Sequence, residues 1–265
     1  MEFCSIASGS SGNCTYAGTD RSAVLVDVGL SGKRIREGLQ DADRKPEDID
    51  AILITHEHAD HIKGLGVMAR KYRIPIYATK GTLAYITGCA QLGNIDPGLL
   101  HVIRADEPFS IGDLSVEAFS IWHDAAEPVG YRLSSGGKSI AVATDMGCYD
   151  DYIVEHLQGL DSILLEANHD INMLQVGPYP WPLKQRILGK KGHLSNDSAG
   201  SLLCDILHDN MSHILLGHLS QENNYAALAY ATVRNVIDMD ERPYRADDFN
   251  IEVAKRDCAM AMMQV

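Results

Sequence analysis

Between positions 56 and 61 the chain carries three imidazoles and two carboxylates, in the string Thr55-His56-Glu57-His58-Ala59-Asp60-His61. Such density is costly unless a cation neutralises it, because like charges repel and desolvated imidazoles shift their pKa values. A bound divalent metal, or a pair of them, is the simplest physical resolution. The string follows a short apolar run, Ala51 to Ile54, that reads as a buried strand. It precedes apolar residues at helical spacing, Ile62, Leu65, Met68, Ala69 and Tyr72, which predict a helix from His61 to Tyr72. In an extended turn His56 and His58 point the same way. A helix beginning near Asp60 puts Asp60 and His61 on its first turn. Four donors then converge at the end of a strand, where open α/β sheets place their chemistry.

The rest of the chain reads as mixed α and β. Met1 to Ala7, Cys14 to Ala17 and Ser22 to Asp27 read as strands, the last two around the turn Gly18-Thr19-Asp20-Arg21. Ser31 reads as the N-cap of a helix reaching about Leu39. Ile74 to Ala78 reads as strand and Thr82 to Leu92 as helix. Leu114 to Trp122, Val129 to Ser134 and Ser139 to Thr144 form an expected antiparallel series turning at Ser135-Gly136-Gly137. Ser162 to Glu166, Ile214 to Leu216 and Ile251 to Ala254 are further strands. Ala199, Leu202, Leu203, Ile206 and Leu207 mark one helix, and Tyr225 to Val236 another. No linker or exact repeat interrupts the 265 residues, so one domain over 1–265 is expected.

Composition bounds the function. The net charge of −13 argues against an extended duplex-binding surface. The charge is uneven, however. Ile171 to Asn196 contains no acidic residue but holds Lys184, Arg186, Lys190 and Lys191, with Tyr179 and Trp181 beside them. Six cysteines are widely spaced without a Cys-x-x-Cys pair, as expected of reduced thiols in a cytoplasmic protein. No basic, apolar leader and no eighteen-residue apolar window is visible, so neither a secretory signal nor a membrane span is expected.

The string His56-x-His58-x-Asp60-His61 resembles the hallmark of the metallo-β-lactamase-fold hydrolases, and the family's other positions follow in order. They are His123, Asp145 and His218, each after an apolar strand, with Asp27 matching an early structural aspartate. Ser8-Gly9-Ser10-Ser11-Gly12-Asn13-Cys14 and Gly192-His193-Leu194-Ser195-Asn196 narrow the likeness to the YycJ/WalJ group, similar to RNase J and tRNase Z type phosphodiesterases. The resemblance implies an α+β fold, the four-layer αββα sandwich. It also implies two divalent ions (zinc, manganese or iron). His56, His58 and His123 would hold one, Asp60, His61 and His218 the other, and Asp145 would bridge them, with a shared hydroxide as nucleophile. An aspartate at 145 resembles the phosphodiesterase and thioesterase branches, whereas a cysteine there is typical of the antibiotic-hydrolysing relatives. Asp27 is expected to orient a histidine or the metal loop by hydrogen bonds.

The remaining candidates concern the substrate. His193 precedes a predicted helix start, where free N–H groups favour phosphate. By resemblance it holds a phosphate oxygen or protonates the leaving group, with His169 in support, so His193, His169 and Asp60 are the catalytic candidates. Ser195 and Asn196 either cap that helix or touch the ligand. Ser10, Ser11 and Asn13 are expected to line the cleft, and Lys190 and Lys191 to meet phosphates. His101, His156, His208 and His213 sit in no motif and read as surface or helix-end residues. The expected activity is a metal-dependent phosphodiesterase on nucleic acid, DNA before RNA, working as an exonuclease from a 5′ end; that polarity comes from the resemblance. Two alternatives stay open: a thioester or lactone hydrolase on the same metals, and a metal-stabilised regulatory partner without turnover. Only 47 residues follow His218 and 73 separate Asp145 from it. Both are shorter than the added domains of glyoxalase II-like and RNase J-like relatives, so an open cleft is expected.

Overall fold

The computed structural model describes residues 1–265. Fourteen strands form two seven-stranded sheets. The first contains β1 (Glu2–Ala7), β2 (Cys14–Gly18), β3 (Ala23–Val26), β4 (Ala51–Leu53), β5 (Ile76–Thr79) and β6 (Leu100–Ile103). The second contains β7 (Phe109–Ile111), β8 (Leu114–Ser120), β9 (Val129–Ser135), β10 (Lys138–Ala143), β11 (Ser162–Glu166), β12 (His213–Gly217) and β13 (Asn250–Val253), after which β14 (Met263–Gln264) returns to pair with β1. Spatial order is β14-β1-β2-β3-β4-β5-β6 in one sheet and β13-β12-β11-β10-β9-β8-β7 in the other. Each sheet is half antiparallel and half parallel: β3 to β6 run parallel in the first, and β10 to β13 in the second. The expected series β8-β9-β10 is antiparallel, and Ile140 faces Leu133 across it.

Three apolar layers account for the packing. Alternate residues of one strand serve different layers, as the period of two requires. Cys4, Ile6, Leu25 and Ile52 face outward onto α1 (Gly32–Asp41) and α3 (Leu65–Tyr72), through Ile35, Leu39, Leu65 and Met68. Phe3, Val24, Val26 and Leu53 face inward and meet Leu133, Val142, Leu164 and Leu215 of the second sheet. Ala141, Ile163, Leu165, Ile214 and Leu216 face outward onto α8 (Asn196–Ile206) and α9 (Ala226–Met239), through Leu202, Leu203, Val233 and Ile237. The result is the αββα sandwich expected from the sequence. Because both faces of the central strands are covered, they read as continuous apolar runs instead of alternating ones. No helix is long and apolar enough to cross a membrane.

Three departures are physical. The predicted helix from His61 to Tyr72 is broken into α2 (Ala59–Ile62) and α3. Gly64 lies at the break, where a Cβ would stand 2.3 Å from the Leu30 carbonyl oxygen. The chain passes too close to its neighbour there for a continuous helix surface. The helix predicted for Thr82 to Leu92 is α4 (Lys80–Gly88) and a short 3₁₀ turn. Finally β6, β7 and helices α5 (Asp151–Leu157), α6 (Ile171–Val176) and α7 (Trp181–Leu188) carry too short or too mixed a pattern to be read from periodicity.

Candidate metal centre and cleft

Every ligand candidate leaves the C-terminal end of a strand. Asp27 follows β3, the histidine-rich loop follows β4, His123 follows β8, Asp145 follows β10, and His218 follows β12. The loop Ser8 to Asn13 leaves β1 on the same edge and binds across to the other sheet, its Ser8 hydroxyl accepting the His218 N–H at 2.8 Å. Asp27, Asp145 and His218 all have left-handed backbones, with φ of 60°, 61° and 54°. Non-glycine residues adopt that conformation at a cost of roughly 1–3 kcal/mol each, and such strain persists where the surroundings over-determine it. Here it turns the chain sharply at the strand end.

The ligand atoms converge. His56 Nε2 lies 3.0 Å from His58 Nδ1, and His123 Nε2 lies 3.2 Å from the same atom. His61 Nε2 lies 3.2 Å from Asp145 Oδ2 and 3.6 Å from Asp60 Oδ2, and His218 Nε2 lies 3.5 Å from Asp60 Oδ2. Two nitrogens on one tetrahedral zinc stand roughly 3.3 Å apart, given bonds of about 2.0–2.1 Å. The spacing therefore fits ligands of a shared ion. Two overlapping groups emerge, His56, His58 and His123 on one side and Asp60, His61 and His218 on the other, with Asp145 beside His56 and His61. Asp145 Oδ2 is buried and accepts no hydrogen bond, although a cation would satisfy it. Imidazoles with carboxylates suit zinc, manganese or iron.

Outer hydrogen bonds fix each ring. His56 Nδ1 meets Thr55 Oγ1 at 3.0 Å, His61 Nδ1 meets Asp27 Oδ2 at 2.7 Å, His123 Nδ1 meets the Gly192 carbonyl at 3.1 Å, and His218 Nδ1 meets Glu166 Oε1 at 2.8 Å. With Nδ1–H donating to a carboxylate or carbonyl, as in His61, His123 and His218, Nε2 is left as the basic nitrogen for a metal. Asp27 also accepts the Thr55 N–H and hydroxyl, both at 2.9 Å, so it fastens the start of the loop as well as one ring. Asp27→Asn is expected to weaken metal affinity by about 10- to 100-fold, measured by competitive chelator titration. An unchanged affinity would remove the orienting role.

Glu166 was not singled out by the sequence, yet it sits at the centre of this shell. Its Oε1 accepts both His193 Nδ1 and His218 Nδ1 at 2.8 Å, and its Oε2 accepts the N–H groups of Met146 at 2.7 Å and Leu194 at 3.2 Å. It ends β11 and is fully buried. A lone glutamate closing an apolar strand is a detectable signal, since burial of a carboxylate demands partners. Glu57, within the histidine string, is also structural: it accepts the Ala126 N–H at 2.7 Å and so ties two loops together.

The electrostatics follow from this crowding. Burial favours the neutral form of Asp145, but His218 and His61 outweigh it and hold its carboxyl well below the usual range. Burial acts likewise on Asp60, where His61 and His218 again win and lower it. Glu166 is brought down to about 2, burial being overcome chiefly by His193. His218 resists burial and is pulled up to about 10 by Asp145, Asp60 and Glu166. His56 and His123 are lowered, mainly by burial. The carboxylates that draw protons onto His61 and His218 create the field in which a divalent cation can replace those protons.

A cleft of about 220 Å³ opens over the ligands, lined among others by Ser10, His58, Asp60, Asp145, Arg186 and His193. Thus Ser10 and His193 stand where the sequence placed them, and His193 keeps Nε2 free of protein partners. Ser11 is exposed outside the lining. Asn13 is buried instead: its side-chain oxygen accepts the Gly9 N–H at 2.9 Å and its amide lies 3.1 Å from His61 Nε2, so it braces the loop against a ligand ring. Ser195 caps α8, accepting the Ser198 N–H at 3.1 Å, and Asn196 is fully buried with its amide bonded to Asn224. The capping alternative thus describes Ser195, while Asn196 lies in the interior. His169 is buried with neither ring nitrogen bonded, and burial pulls its pKa down to about 4. The basic segment is partly consumed internally. Lys184 closes carbonyls of Gln175 and Gly177 at 2.7 Å each, and Arg186 grips Asp124 at 2.5 and 3.0 Å. Lys190 and Lys191 remain exposed.

The family model of the beta-lactamase superfamily domain matches residues 22–236. The chain belongs to that superfamily. Within it, the exodeoxyribonuclease WalJ of Streptococcus pneumoniae is 44% identical over 235 residues, 89% of this chain and 87% of that protein. The exodeoxyribonuclease YycJ of Bacillus anthracis is 40% identical over 238 residues, 90% and 89% of the two chains. Among solved structures, the metallo-β-lactamase fold protein YhfI of Bacillus subtilis superposes with a TM-score of 0.72 at 15% identity over 98% of each chain. Human tRNase Z, short form, gives 0.66 at 18% identity over 98% of this superfamily member and 99% of its own chain. These two likenesses show the fold, which is the metallo-β-lactamase fold.

Proposed function

We propose that residues 1–265 work as one domain, a metal-dependent phosphodiesterase that holds two divalent ions and removes nucleotides from the 5′ end of DNA. The observation that carries this reading is the pairing of a two-lobed ligand cluster with His193, whose ring is fixed by Glu166 at the cleft wall. The relatives WalJ and YycJ, named exodeoxyribonucleases, support a DNA substrate. The 5′-to-3′ polarity rests on the family likeness. Divalent ions held there would neutralise phosphate charge and bring the pKa of water toward ~7. The protein's own part is positional. Glu166 holds the His193 ring by its Nδ1 proton, so Nε2 faces the cleft ready to hold a phosphate oxygen or to give a proton to the departing oxygen. His169, unpaired behind Glu166 and His193, would support that pair. Three free buried cysteines, Cys4, Cys14 and Cys204, suit a reducing cytoplasm.

Incubation of the metal-loaded protein with 5′-labelled DNA, RNA and a thioester tests the reading. Stepwise shortening of DNA is expected, with loss of product in His58→Ala. Turnover of the thioester with both nucleic acids left intact would overturn it in favour of the small-molecule hydrolase.

A further inference from the structure

Two hollows meet the ligand cluster: His58 lines one, and His123, whose Nε2 lies 3.2 Å from His58 Nδ1, lines the other. One is the metal cleft. The other, of about 360 Å³, is lined by Ile121, Trp122, Ala126, Pro128, Tyr152 and Lys191 together with Asp150 and smaller neighbours. Its floor is largely apolar, and a lysine stands at its edge. Trp122 is 45% exposed. The indole is nevertheless pinned. Its Nε1–H donates to Asp150 Oδ2 at 3.3 Å, and the Trp122 carbonyl accepts the Gly147 N–H at 2.8 Å. Asp150 is itself held as the cap of α5, accepting the Ile153 N–H at 3.2 Å. Lys191 reaches the same hollow because residues 190–192 lie against Gly147, where a Cβ would stand 2.4 Å from the Gly192 nitrogen. Gly192 in turn holds His123 by its carbonyl. The indole, the backbone that carries Lys191 and a metal-ligand candidate are therefore joined through Gly147 and Gly192.

We propose that this hollow is a nucleobase subsite for the nucleotide adjoining the phosphate under attack. Trp122 is the stacking platform and Lys191 meets the backbone phosphate. The inference rests on the phosphodiesterase reading and deepens it. A pinned aromatic ring beside a cation, one histidine removed from the metal cleft, matches one occupant, a nucleotide of a single strand. A base inside a duplex has both faces stacked already, whereas an unpaired or frayed end has a face to offer. Stacking tolerates every base, so this subsite selects strand state and not sequence. The acidic surface elsewhere then matters little, because contact is confined to the end of the strand.

The chain has two tryptophans, which allows a direct test. In metal-loaded Trp181→Phe protein, Trp122 is the sole indole, and a phosphorothioate oligothymidylate that resists cleavage is expected to quench it. In Trp122→Phe protein the same oligonucleotide should leave the remaining indole unchanged. Trp122→Ala is expected to raise KM for a single-stranded oligonucleotide by on the order of tenfold relative to bis(p-nitrophenyl) phosphate, a diester too small to reach both sites. Trp122→Phe should recover most of that loss. Quenching carried by Trp181 alone, or an equal loss on both substrates, overturns the subsite. A wild-type protein that cleaves DNA while Trp122→Ala keeps its KM sinks the subsite only. A wild-type protein that cleaves no nucleic acid sinks the phosphodiesterase reading itself.

Discussion

Glu166→Gln is expected to lower kcat on a single-stranded oligonucleotide by about 10²- to 10³-fold and to reduce bound metal. The wild-type carboxylate accepts four hydrogen bonds, two from imidazoles and two from backbone N–H groups. A carboxamide has one accepting end and one donating end, so either orientation sets its NH₂ against two donors. Facing the histidines, it forces His218 to take the other tautomer and carry its proton on Nε2, the atom turned to Asp60. Facing Met146 and Leu194, it leaves two buried N–H groups unpaired at about 1–3 kcal/mol each. The first orientation impairs the site and the second the fold. Metal content, kcat and the thermal midpoint measured together separate them. A variant that keeps its metal, its midpoint and kcat within about threefold would remove Glu166 from the machinery.

The second large effect is expected at Asp145. Its carboxylate is buried beside five imidazoles, those of His56, His61, His123, His193 and His218, and its Oδ2 accepts no hydrogen bond. Asp145→Asn is expected to drop bound metal below one equivalent and to cut activity by about 10³-fold or more. Stability should fall in both states. At a metal concentration of about 1,000 times Kd, binding adds about 4 kcal/mol to the wild type, and the variant loses most of that. After chelation the variant should also melt below the chelated wild type at neutral pH, because the carboxamide no longer pairs with the buried imidazoles of His218 and His61 that hold the wild-type carboxylate ionised. Parallel melts with zinc and with chelator check it. A variant that retains two equivalents and the metal-dependent rise in melting temperature would refute the bridging role.

The candidate metal ligands were legible because their chemistry is local. Three histidines and two carboxylates within six residues have few explanations besides a cation, and His123, Asp145 and His218 each stand just after an apolar strand. The strands that deliver them were equally readable: β11 spans the predicted Ser162 to Glu166. Short edge elements such as β6 and β7 were not, since three or four residues carry too little period to distinguish strand from loop.

Substrate-side candidates depended on direction, which a sequence does not carry. Asn13, in a loop, and Asn196, at the start of α8, are polar residues near the cleft, yet both turn inward, one to brace His61 and the other to pair with Asn224. Lys184 looks like a phosphate contact in a basic segment until the fold supplies its carbonyl partners. By itself the sequence marked the candidate metal ligands and the strands that deliver them, because ligand-type side chains and hydrophobic period are read along the chain, while the layering of the sheets came from the family likeness. Only the tertiary structure decided which polar side chains face the cleft and that Glu166 joins His193 to His218, because those depend on hydrogen bonds between groups distant along the chain.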